Sequence, residues 1–458
     1  MTAPAAVHPG DLEPSLLNGH TYLTRRRILK LDAATLLGLM LVLLTAIPAR
    51  LIIPGTTDVG RPAIVVCLGL FCWWVLSKLN PHLVLTGNQP IRWALLIYWL
   101  SILVSYGTGF LRGLTGMEAN SSDRWLISTA AFSGVILAAA DGLTNWERFR
   151  SVLRVLVYCA GFLALVGLVE TVLARDVTQY LVLPGLAEKG PAPELQARGG
   201  GLRVASNTTH YIELSAVLAT ALPFAIHLAR FATSRWEKRR LAFAAVLIGA
   251  GIPATISRTG IVAVAIMALC LMPLWTWRLR YNGIMICVAM LGVLAAVKPS
   301  FAATLLDMFT NYSDDPSITS RTERYELVGY YFAQTPWFGR GTGTWVPPQY
   351  QYLDNQWLAT ALCNGIIGVA ALALLFLTAL ALAFIALRRA ATPEDKHVCA
   401  ALISTQLIAM FVSATFDSLW FDTYATVVAL TVGLCGAVWR FTHPKRQIRT
   451  STAGHPSS

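Results

Sequence analysis

Long apolar segments alternate with short polar ones along most of the chain. Each apolar segment is long enough to cross the hydrocarbon core of a bilayer as an α-helix, which needs roughly 20 residues. The alternation predicts an all-α fold, a polytopic integral membrane bundle of about twelve transmembrane helices. The predicted helices cover residues 33–53, 61–78, 91–112, 124–140, 152–174, 211–230, 239–255, 259–276, 282–298, 357–387, 397–416 and 419–440.

The composition supports a membrane protein and excludes an ordinary soluble enzyme. Of the 458 residues, 55% are hydrophobic and 13% are charged, and the mean hydropathy is +0.57. An average soluble domain is about one-quarter charged. The eight cysteines all fall in apolar segments. We therefore expect neither a disulfide framework nor a zinc site.

The basic residues predict how the bundle is oriented. Lys and Arg number 36 against 24 Asp and Glu, which gives a net charge of +12. In a soluble protein this surplus would suggest a nucleic-acid partner. Here the positive-inside bias of membrane proteins explains it, and no nucleic acid is expected. With a cytoplasmic N-terminus, 23 of the 36 basic residues fall on the cytoplasmic side, so both termini are expected there.

The polar segments define the domain organisation. Residues 1–24 and 441–458 are expected to be flexible cytoplasmic tails, and residues 25–440 a single membrane bundle. Two connections are long, 175–210 and 299–356, and both face outward in this orientation. Loops of this length inside a compact domain are usually functional or disordered. The chemistry is therefore expected in these two outer loops.

The second outer loop contains two predicted helices. Apolar residues at near-helical spacing over 299–312 predict an amphipathic helix on the membrane surface. Ser320 and Glu323 form an S-x-x-E capping box. The box predicts the start of a second helix, which runs to about Gln334.

Four arginines are predicted to face the outer side, namely Arg203, Arg258, Arg321 and Arg324. The capping box would place Arg321 in the first turn of its helix and Arg324 three residues on, on the same face. Forked guanidinium donors near the positive end of a helix suit a diphosphate. Pairing with neighbouring glutamates, or contact with lipid headgroups, explains the same pattern without a substrate.

Residues 336–345 are rich in glycine and precede a candidate acid. No Lys-Ser/Thr follows these glycines and no strand precedes them, so a tight turn is expected and a nucleotide-binding loop is not. Asp354 and Asn355 then stand at the outer mouth of the helix that begins near Trp357. A carboxylate there can accept a proton from a sugar hydroxyl. It can equally serve as a simple N-cap of the helix.

Two further polar residues lie at the start of the sixth predicted helix. Glu213 lies at membrane depth, where a carboxylate is unfavourable unless it faces protein or water, so it indicates a polar cavity. His210 is equally compatible with a structural and a catalytic role. No third partner for a metal accompanies them, so no metal site is expected.

Taken in order, these motifs resemble the O-antigen ligase and O-antigen polymerase superfamily of bacterial membrane glycosyltransferases. The resemblance is clearest over about 200–370, within an expected core of about 200–390. It has four parts. The first two are Arg203 with Asn207, and the Ser-Arg-Thr-Gly turn of 257–260. The third is Arg321 with the Pro-Trp-Phe-Gly-Arg-Gly-Thr-Gly stretch of 336–343, and the fourth is the Asp-Asn-Gln-Trp-Leu stretch of 354–358 with Asn-Gly-Ile-Ile-Gly at 364–368.

The resemblance implies an enzyme of the bacterial cytoplasmic membrane that acts on glycans linked to undecaprenyl diphosphate. Such an enzyme joins the anomeric carbon of the glycan to a hydroxyl of an acceptor glycan, and the lipid diphosphate leaves. Arg203 and Arg321 would hold the diphosphate, and Asp354 would be the catalytic base. The substrate-binding side chains expected beside them are Arg258, Arg324, His210, Glu213 and Asn355.

The resemblance also implies which partners to expect. No nucleotide sugar, obligatory metal or other cofactor is implied. The partners are the undecaprenyl-diphosphate-linked oligosaccharide, the glycan acceptor and membrane lipids. A chain-length regulator or a flippase is a further candidate partner.

Two positions depart from the family pattern. Ligases typically carry His where this chain has Asp354, and Asn364 stands where the family often has Glu. An Asp in water is a weak base, with a pKa of about 3.9, although burial can raise it. His210, Asp417 and Asp422 therefore remain alternative bases. The departure at Asp354 favours a polymerase of exopolysaccharide or another cell-wall glycan over a lipopolysaccharide ligase.

Two other functions fit parts of the pattern. A lipid-linked oligosaccharide flippase should carry charges at the membrane midplane and often shows repeat symmetry, whereas this chain places its polar residues in outer loops and has no internal repeat. A peptidoglycan polymerase of the shape, elongation and division type also uses a large outer loop and an acid, but usually has fewer helices and different motifs.

Overall fold

In the computed structural model, the chain forms a bundle of α-helices with very little strand. The structure describes residues 32–56, 59–79, 88–189, 197–198, 201–297, 316–347 and 349–444. The predicted tail 1–24, residues 445–458 of the predicted tail 441–458, and the predicted surface helix 299–312 lie outside the described residues. Phe441, the first residue of the predicted C-terminal tail, belongs to the last helix of the bundle.

Thirteen α-helices occur within the described residues. They are α1 Ala33–Ala46, α2 Pro62–Ser77, α3 Pro90–Arg112, α4 Gly116–Gly142, α5 Trp146–Leu173, α6 Tyr211–Phe231, α7 Arg235–Ala254, α8 Arg258–Leu271, α9 Trp277–Val297, α10 Pro316–Gln334, α11 Gln356–Arg389, α12 Pro393–Val412 and α13 Asp422–Phe441. Each of the twelve predicted membrane segments overlaps one helix, and α10 is an additional helix in the second long loop. The first prediction, 33–53, is too long, because its helix ends at Ala46 and residues 51–52 form a short strand.

Eight of these helices are long and apolar enough to cross a membrane. They are α3, α4, α5, α6, α9, α11, α12 and α13. Helices α1, α2 and α8 are apolar but shorter, and α7 opens with a highly charged turn. Only helices and closed barrels satisfy all their backbone polar groups in lipid. The predicted all-α, polytopic membrane fold is confirmed.

The two ends of the bundle differ in their polar groups. We call the end that carries residues 174–189, 201–210, 335–347 and 349–355 the site end. At the opposite end, ion pairs fasten α5 to α1, α12 and α7. These pairs are Arg148–Asp32 at 2.5 Å, Arg150–Glu394 at 2.8 Å and Arg154–Glu237 at 2.9 Å.

Two short antiparallel ladders lie at the site end. Strand β1, Leu51–Ile52, pairs with β2, Ala187–Glu188, and β3, Ala197–Arg198, pairs with β4, Gly201–Leu202. Arg50 reinforces the first ladder, because its Nε lies 3.2 Å from Glu188 Oε1. The first long loop is therefore fastened over the connection between α1 and α2.

Helix α11 is interrupted at Gly365, a feature that the apolar pattern did not predict. Gly365 has φ 66° and ψ −169°, a conformation outside the helical region. The backbone N–H of Ile366 leaves the helix ladder and donates to the carbonyl of Pro336 at 2.8 Å. Buried backbone groups must find partners when a helix breaks in lipid, and the glycine-rich segment 336–345 supplies them here.

The glycine-rich segment forms the tight turn that its composition predicts. Gly339, Gly341 and Gly343 have φ of 74°, 121° and 67°. Ser121 and Ser122 of α4 donate to carbonyl oxygens of this turn at 2.7 and 2.6 Å. The turn is thus wedged between α4 and the break in α11, and it orients the chain that leads to Asp354.

Replacing Gly365 with Ala is expected to prevent this packing. A Cβ at that position would lie 2.3 Å from the Trp337 carbonyl oxygen, and the backbone conformation is essentially reserved for glycine. We expect a loss of at least about 3 kcal/mol of stability, measured as a lower melting temperature of the purified protein.

The matched control for this substitution is Gly329→Ala in α10. A Cβ at Gly329 would meet nothing within 4 Å, so stability should stay the same or rise slightly. An unchanged melting temperature for Gly365→Ala would show that the break in α11 is not required by the fold.

Candidate active site at the site end

Helix α10 begins earlier than the sequence predicts. It starts at Pro316, so Ser320 and Glu323 lie inside the helix and the capping-box prediction is wrong. Proline is favoured at the first helical position because its φ is preset and its missing N–H has no intrahelical partner there. Arg321 and Arg324 therefore lie in the second and third turns, where the helix dipole contributes little.

Arg324 forms an ion pair with Asp354. Its Nη1 lies 2.5 Å from Asp354 Oδ2, and the arginine side chain is 14% exposed whereas that of Asp354 is 41% exposed. The carboxylate thus remains accessible while its counter-ion is largely covered. The side chain of Arg321 lies outside the described part of the structure, so the prediction that it shares a helix face with the side chain of Arg324 stays a prediction.

Asn355, and not Asp354, caps helix α11. The Asn355 Oδ1 accepts the backbone N–H groups of Trp357 and Leu358 at 3.0 and 3.2 Å. Asp354 lies one residue before the cap in a left-handed conformation, with φ 48°. The helix end therefore does not use the Asp354 carboxylate, and simple N-capping does not explain this residue.

Asp417 fixes the backbone on which Asp354 stands. Its Oδ2 accepts the N–H of Asp354 at 3.3 Å, and its Oδ1 accepts the N–H of Asn355 at 3.1 Å. Burial, together with the negative charge of Asp354, raises the pKa of Asp417 from 3.8 to about 6. The hydrogen bonds from the two backbone N–H groups and the positive charge of Arg324 lower the pKa of Asp417, but by less than burial and Asp354 raise it. Two carboxylates thus lie side by side at the mouth of α11.

A cavity of about 90 Å³ opens beside the two carboxylates. Its polar lining includes Asp354, Asp417, Gln356, Thr360 and Asn364, and its aromatic lining is Tyr98, Trp125, Trp345, Tyr352, Trp420 and Phe421. A mostly apolar pocket with a few convergent polar groups is the usual form of a small-molecule site.

His210 caps helix α6 and faces the same region. Its Nδ1 accepts the N–H of Ile212 at 3.3 Å. Burial, together with the positive charge of Arg203, lowers the pKa of His210 from 6.5 to about 4, although the negative charge of Asp354 opposes this shift. The ring is neutral at physiological pH, and its acceptor nitrogen is engaged by the helix. These contacts favour a structural role over that of a base.

Two of the remaining predicted arginines are described at the same end. The guanidinium of Arg203 lies over the Tyr211 ring at 4.3 Å, and its Nη1 donates to the Tyr211 hydroxyl. Arg258 is the first residue of α8. The structure therefore pairs Arg324 with Asp354. It places Arg203 close enough to His210 for the charges of both Arg203 and Asp354 to affect that histidine.

Glu213 is fully buried and holds two helices together. Its Oε2 accepts the N–H of Thr209 at 2.8 Å. Its Oε1 accepts the N–H groups of Thr423 and Tyr424 at 2.9 and 3.2 Å. The carboxylate therefore ties the start of α6 to the first turn of α13, and its contacts are those of a structural residue.

Asp422, an alternative base, has a different neighbour. Its Oδ2 lies 3.9 Å from Nη1 of the buried Arg61. Asp422 belongs to the first turn of α13 and does not line the cavity beside Asp354. Of the three alternative bases, only Asp417 is thus in direct contact with the Asp354 segment in the described structure.

Sequence reasoning missed the aromatic lining of the cavity. Trp125 of α4 and Trp420 stack with ring centroids 5.9 Å apart, although almost 300 residues separate them. The available signal was the outer turn 417–422, in which Trp420 and Phe421 stand between two acids.

Residues 243–373 match the family model described as O-antigen ligase. The match covers less than a third of the chain, from α7 to the first part of α11, and it includes Arg258, Arg324, Asp354 and Asn355. Comparison with curated proteins gives no match. The matched segment contains the helix α10, the glycine-rich turn and the mouth of α11, so the chain is similar to the O-antigen ligase family over the part that carries the candidate site.

Proposed function

We propose that the protein is a membrane glycosyltransferase that moves a glycan from a lipid diphosphate to a sugar hydroxyl. The observation that carries the proposal is the Asp354 carboxylate. It is accessible, faces a cavity and is held by Arg324 and Asp417. It also lies within the segment that matches the O-antigen ligase family.

The reaction requires a base and stabilisation of a leaving diphosphate. The acceptor oxygen forms a bond to the anomeric carbon of the donor glycan while the bond between that carbon and the diphosphate oxygen breaks. Asp354 takes the proton of the acceptor hydroxyl, and the diphosphate leaves with the bonding electron pair. Arg203 and Arg321 are the proposed partners of its growing negative charge, and Arg258 and Arg324 are proposed to help bind the substrate.

The charge distribution supports an orientation with the site end outside the cytoplasm. The opposite end carries Arg148, Arg150 and Arg154 and the charged first turns of α7. By the positive-inside rule this end is cytoplasmic. We propose that both termini lie there and that the site faces undecaprenyl-diphosphate-linked glycan at the outer face of the bacterial cytoplasmic membrane.

Among transferases, a polymerase is favoured over a ligase. The reason is the departure at Asp354, where ligases typically carry His. The product would then be an exopolysaccharide, an O-antigen or another cell-wall glycan. A flippase is the second candidate, but the acids of the described cavity lie at the mouth of α11 and not at the middle of the helices.

The test is the profile of lipid-linked glycans, measured by mass spectrometry in cells with and without the protein. If single repeat units accumulate on the lipid carrier and long chains disappear, the protein is a polymerase. Accumulation of long chains on the carrier identifies a ligase. If neither pool changes, the proposed function is wrong and the flippase becomes the better proposal.

A further inference from the structure

The cavity beside Asp354 has an aromatic mouth. Tyr352 lines the cavity, lies two residues before Asp354 and is 65% exposed. Because Tyr352 is exposed and lines the cavity, its ring is available for contact with a ligand. Deeper in the cavity, Trp345 is 8% exposed and is held in place by Tyr350, whose ring centroid lies 4.3 Å away.

Trp125 and Trp420 form a second aromatic part of the cavity lining. Trp420 stacks on Trp125 at 5.9 Å, with an interplanar angle of 29°. The guanidinium of Arg124 lies 4.9 Å from the centroid of the Trp420 ring. Trp420 belongs to the same turn as Asp417, and these two contacts hold its indole ring against α4.

The charged groups that line the cavity are both acids. Among the described lining residues, Asp354 and Asp417 carry charge, and no Lys or Arg is present. Arg324 neutralises Asp354 in part through the ion pair. Carboxylates at close range repel an anionic ligand and accept hydrogen bonds from hydroxyl or ammonium groups. The cavity is therefore unsuited to a diphosphate.

We propose that this cavity binds the acceptor sugar, as a neutral or amino sugar ring, with Tyr352 as its stacking platform. The apolar C–H face of a sugar ring suits the face of an aromatic side chain, which carries partial negative charge. The hydroxyls at the ring edge then reach Asp354 and Asp417. The identification of this sugar as the acceptor rests on the proposed function, whereas sugar binding itself does not.

The proposed acceptor cavity and the proposed diphosphate site would then carry opposite charges. The lipid diphosphate belongs with the arginines, and the acceptor ring belongs with the acids and aromatic side chains. Asp354 is at the boundary, since it lines the cavity and also pairs with Arg324. An acceptor that ends in a uronic acid would place a carboxylate against two others, so the cavity excludes it.

The test measures sugar binding to the purified full-length protein by saturation-transfer NMR. The probes are methyl glucoside, glucosamine and glucuronate. We expect binding of the first two and at least tenfold weaker binding of glucuronate. Tyr352→Ala should weaken binding of methyl glucoside by roughly five- to tenfold, and Tyr352→Phe should retain it.

The matched control is Tyr180→Ala, because Tyr180 is 72% exposed and lies outside the cavity. This variant should bind like the wild type. The inference is overturned if no probe binds, if glucuronate binds as well as methyl glucoside, or if Tyr352→Ala changes nothing.

The two proposals fail in different ways. Binding needs no turnover, so a sugar that binds in a Tyr352-dependent way while the cellular glycan profile is unchanged would leave the cavity as a sugar site and contradict the transferase. A changed profile together with binding that is insensitive to Tyr352 would leave the transferase and contradict the acceptor site.

Discussion

Asp354→Asn is expected to reduce glycan transfer by roughly 10²–10⁴-fold, the range over which a positioned base contributes. The carboxamide has nearly the same shape, and its oxygen can still accept from Arg324, whose Nη1 lies 2.5 Å from the native carboxylate. What the amide cannot do is take a proton. The loss should therefore appear in kcat, with the melting temperature close to that of the wild type.

The control for this result is Glu188→Gln. Glu188 is also an exposed carboxylate paired with an arginine, with its Oε1 3.2 Å from Arg50 Nε, but it lies outside the cavity. Transfer by this variant should match the wild type. If a stably produced Asp354→Asn variant keeps full activity, Asp354 is not the base, and Asp417 becomes the better candidate.

Asp417→Asn is expected to reduce transfer by roughly 10- to 100-fold, since a hydrogen bond to a charged group contributes about 1.5–3 kcal/mol. Each oxygen of Asp417 accepts one backbone N–H, from Asp354 and from Asn355. A carboxamide offers only one acceptor oxygen and sets an NH₂ group against the other N–H. Asp354 then loses half of its anchor, and small misplacements of a catalytic group reduce rates strongly.

The same contacts predict the acidic limb of the pH profile. Protonation of Asp417 turns one acceptor oxygen into a donor and breaks one of the two bonds. Because the pKa of Asp417 is raised to about 6, wild-type transfer should fall as the pH drops below about 6, and this limb should be absent from Asp417→Asn. The control is Asp176→Asn. Asp176 also accepts a backbone N–H, from Thr178 at 2.7 Å, but it does not hold the Asp354 segment, so this variant should keep the acidic limb of the wild type.

The contribution of Asp417 to folding stability should change with pH in the opposite direction to the rate of transfer. A carboxyl whose pKa is raised on folding binds its proton more tightly in the folded state. Its contribution is present below about pH 4 and is lost as the pH rises to about 6. Between these values transfer should increase while the contribution of Asp417 to stability decreases. Identical pH dependence of transfer in the wild type and Asp417→Asn would contradict this role.

The positions of the membrane helices could be predicted from the sequence because the cause is local. A segment that spans lipid must be apolar and must satisfy its own backbone hydrogen bonds. All twelve predicted segments accordingly overlap helices, although several of their ends differ. The end of α10 at Gln334 was also predicted, but its start was not, since Pro316 and the internal S-x-x-E motif compete as start signals.

The site was only partly predictable, because its geometry depends on contacts between distant segments. The motifs predicted a resemblance to the O-antigen ligase family, with which the family match agrees. They also singled out Asp354 as a candidate base, and that role stays a prediction. They did not distinguish Asp354 from Asn355 as the cap of α11, since both residue types are good caps. The observed choice follows from Asp417, which holds the backbone of both residues from 63 positions away.

The pattern of residues along the chain was enough to predict a helical membrane protein, its resemblance to the O-antigen ligase family, and the two long connections as the place of its polar chemistry. Hydrophobic periodicity and short motifs are properties of neighbouring residues, so they can be recognised without a fold. Three features became visible only in the folded protein: the break at Gly365, the structural contacts of Glu213, and the cavity that Asp354, Asp417, Tyr352 and Trp420 line together. Those features arise where helices and loops far apart in the chain pack together, and packing leaves no local pattern in the sequence.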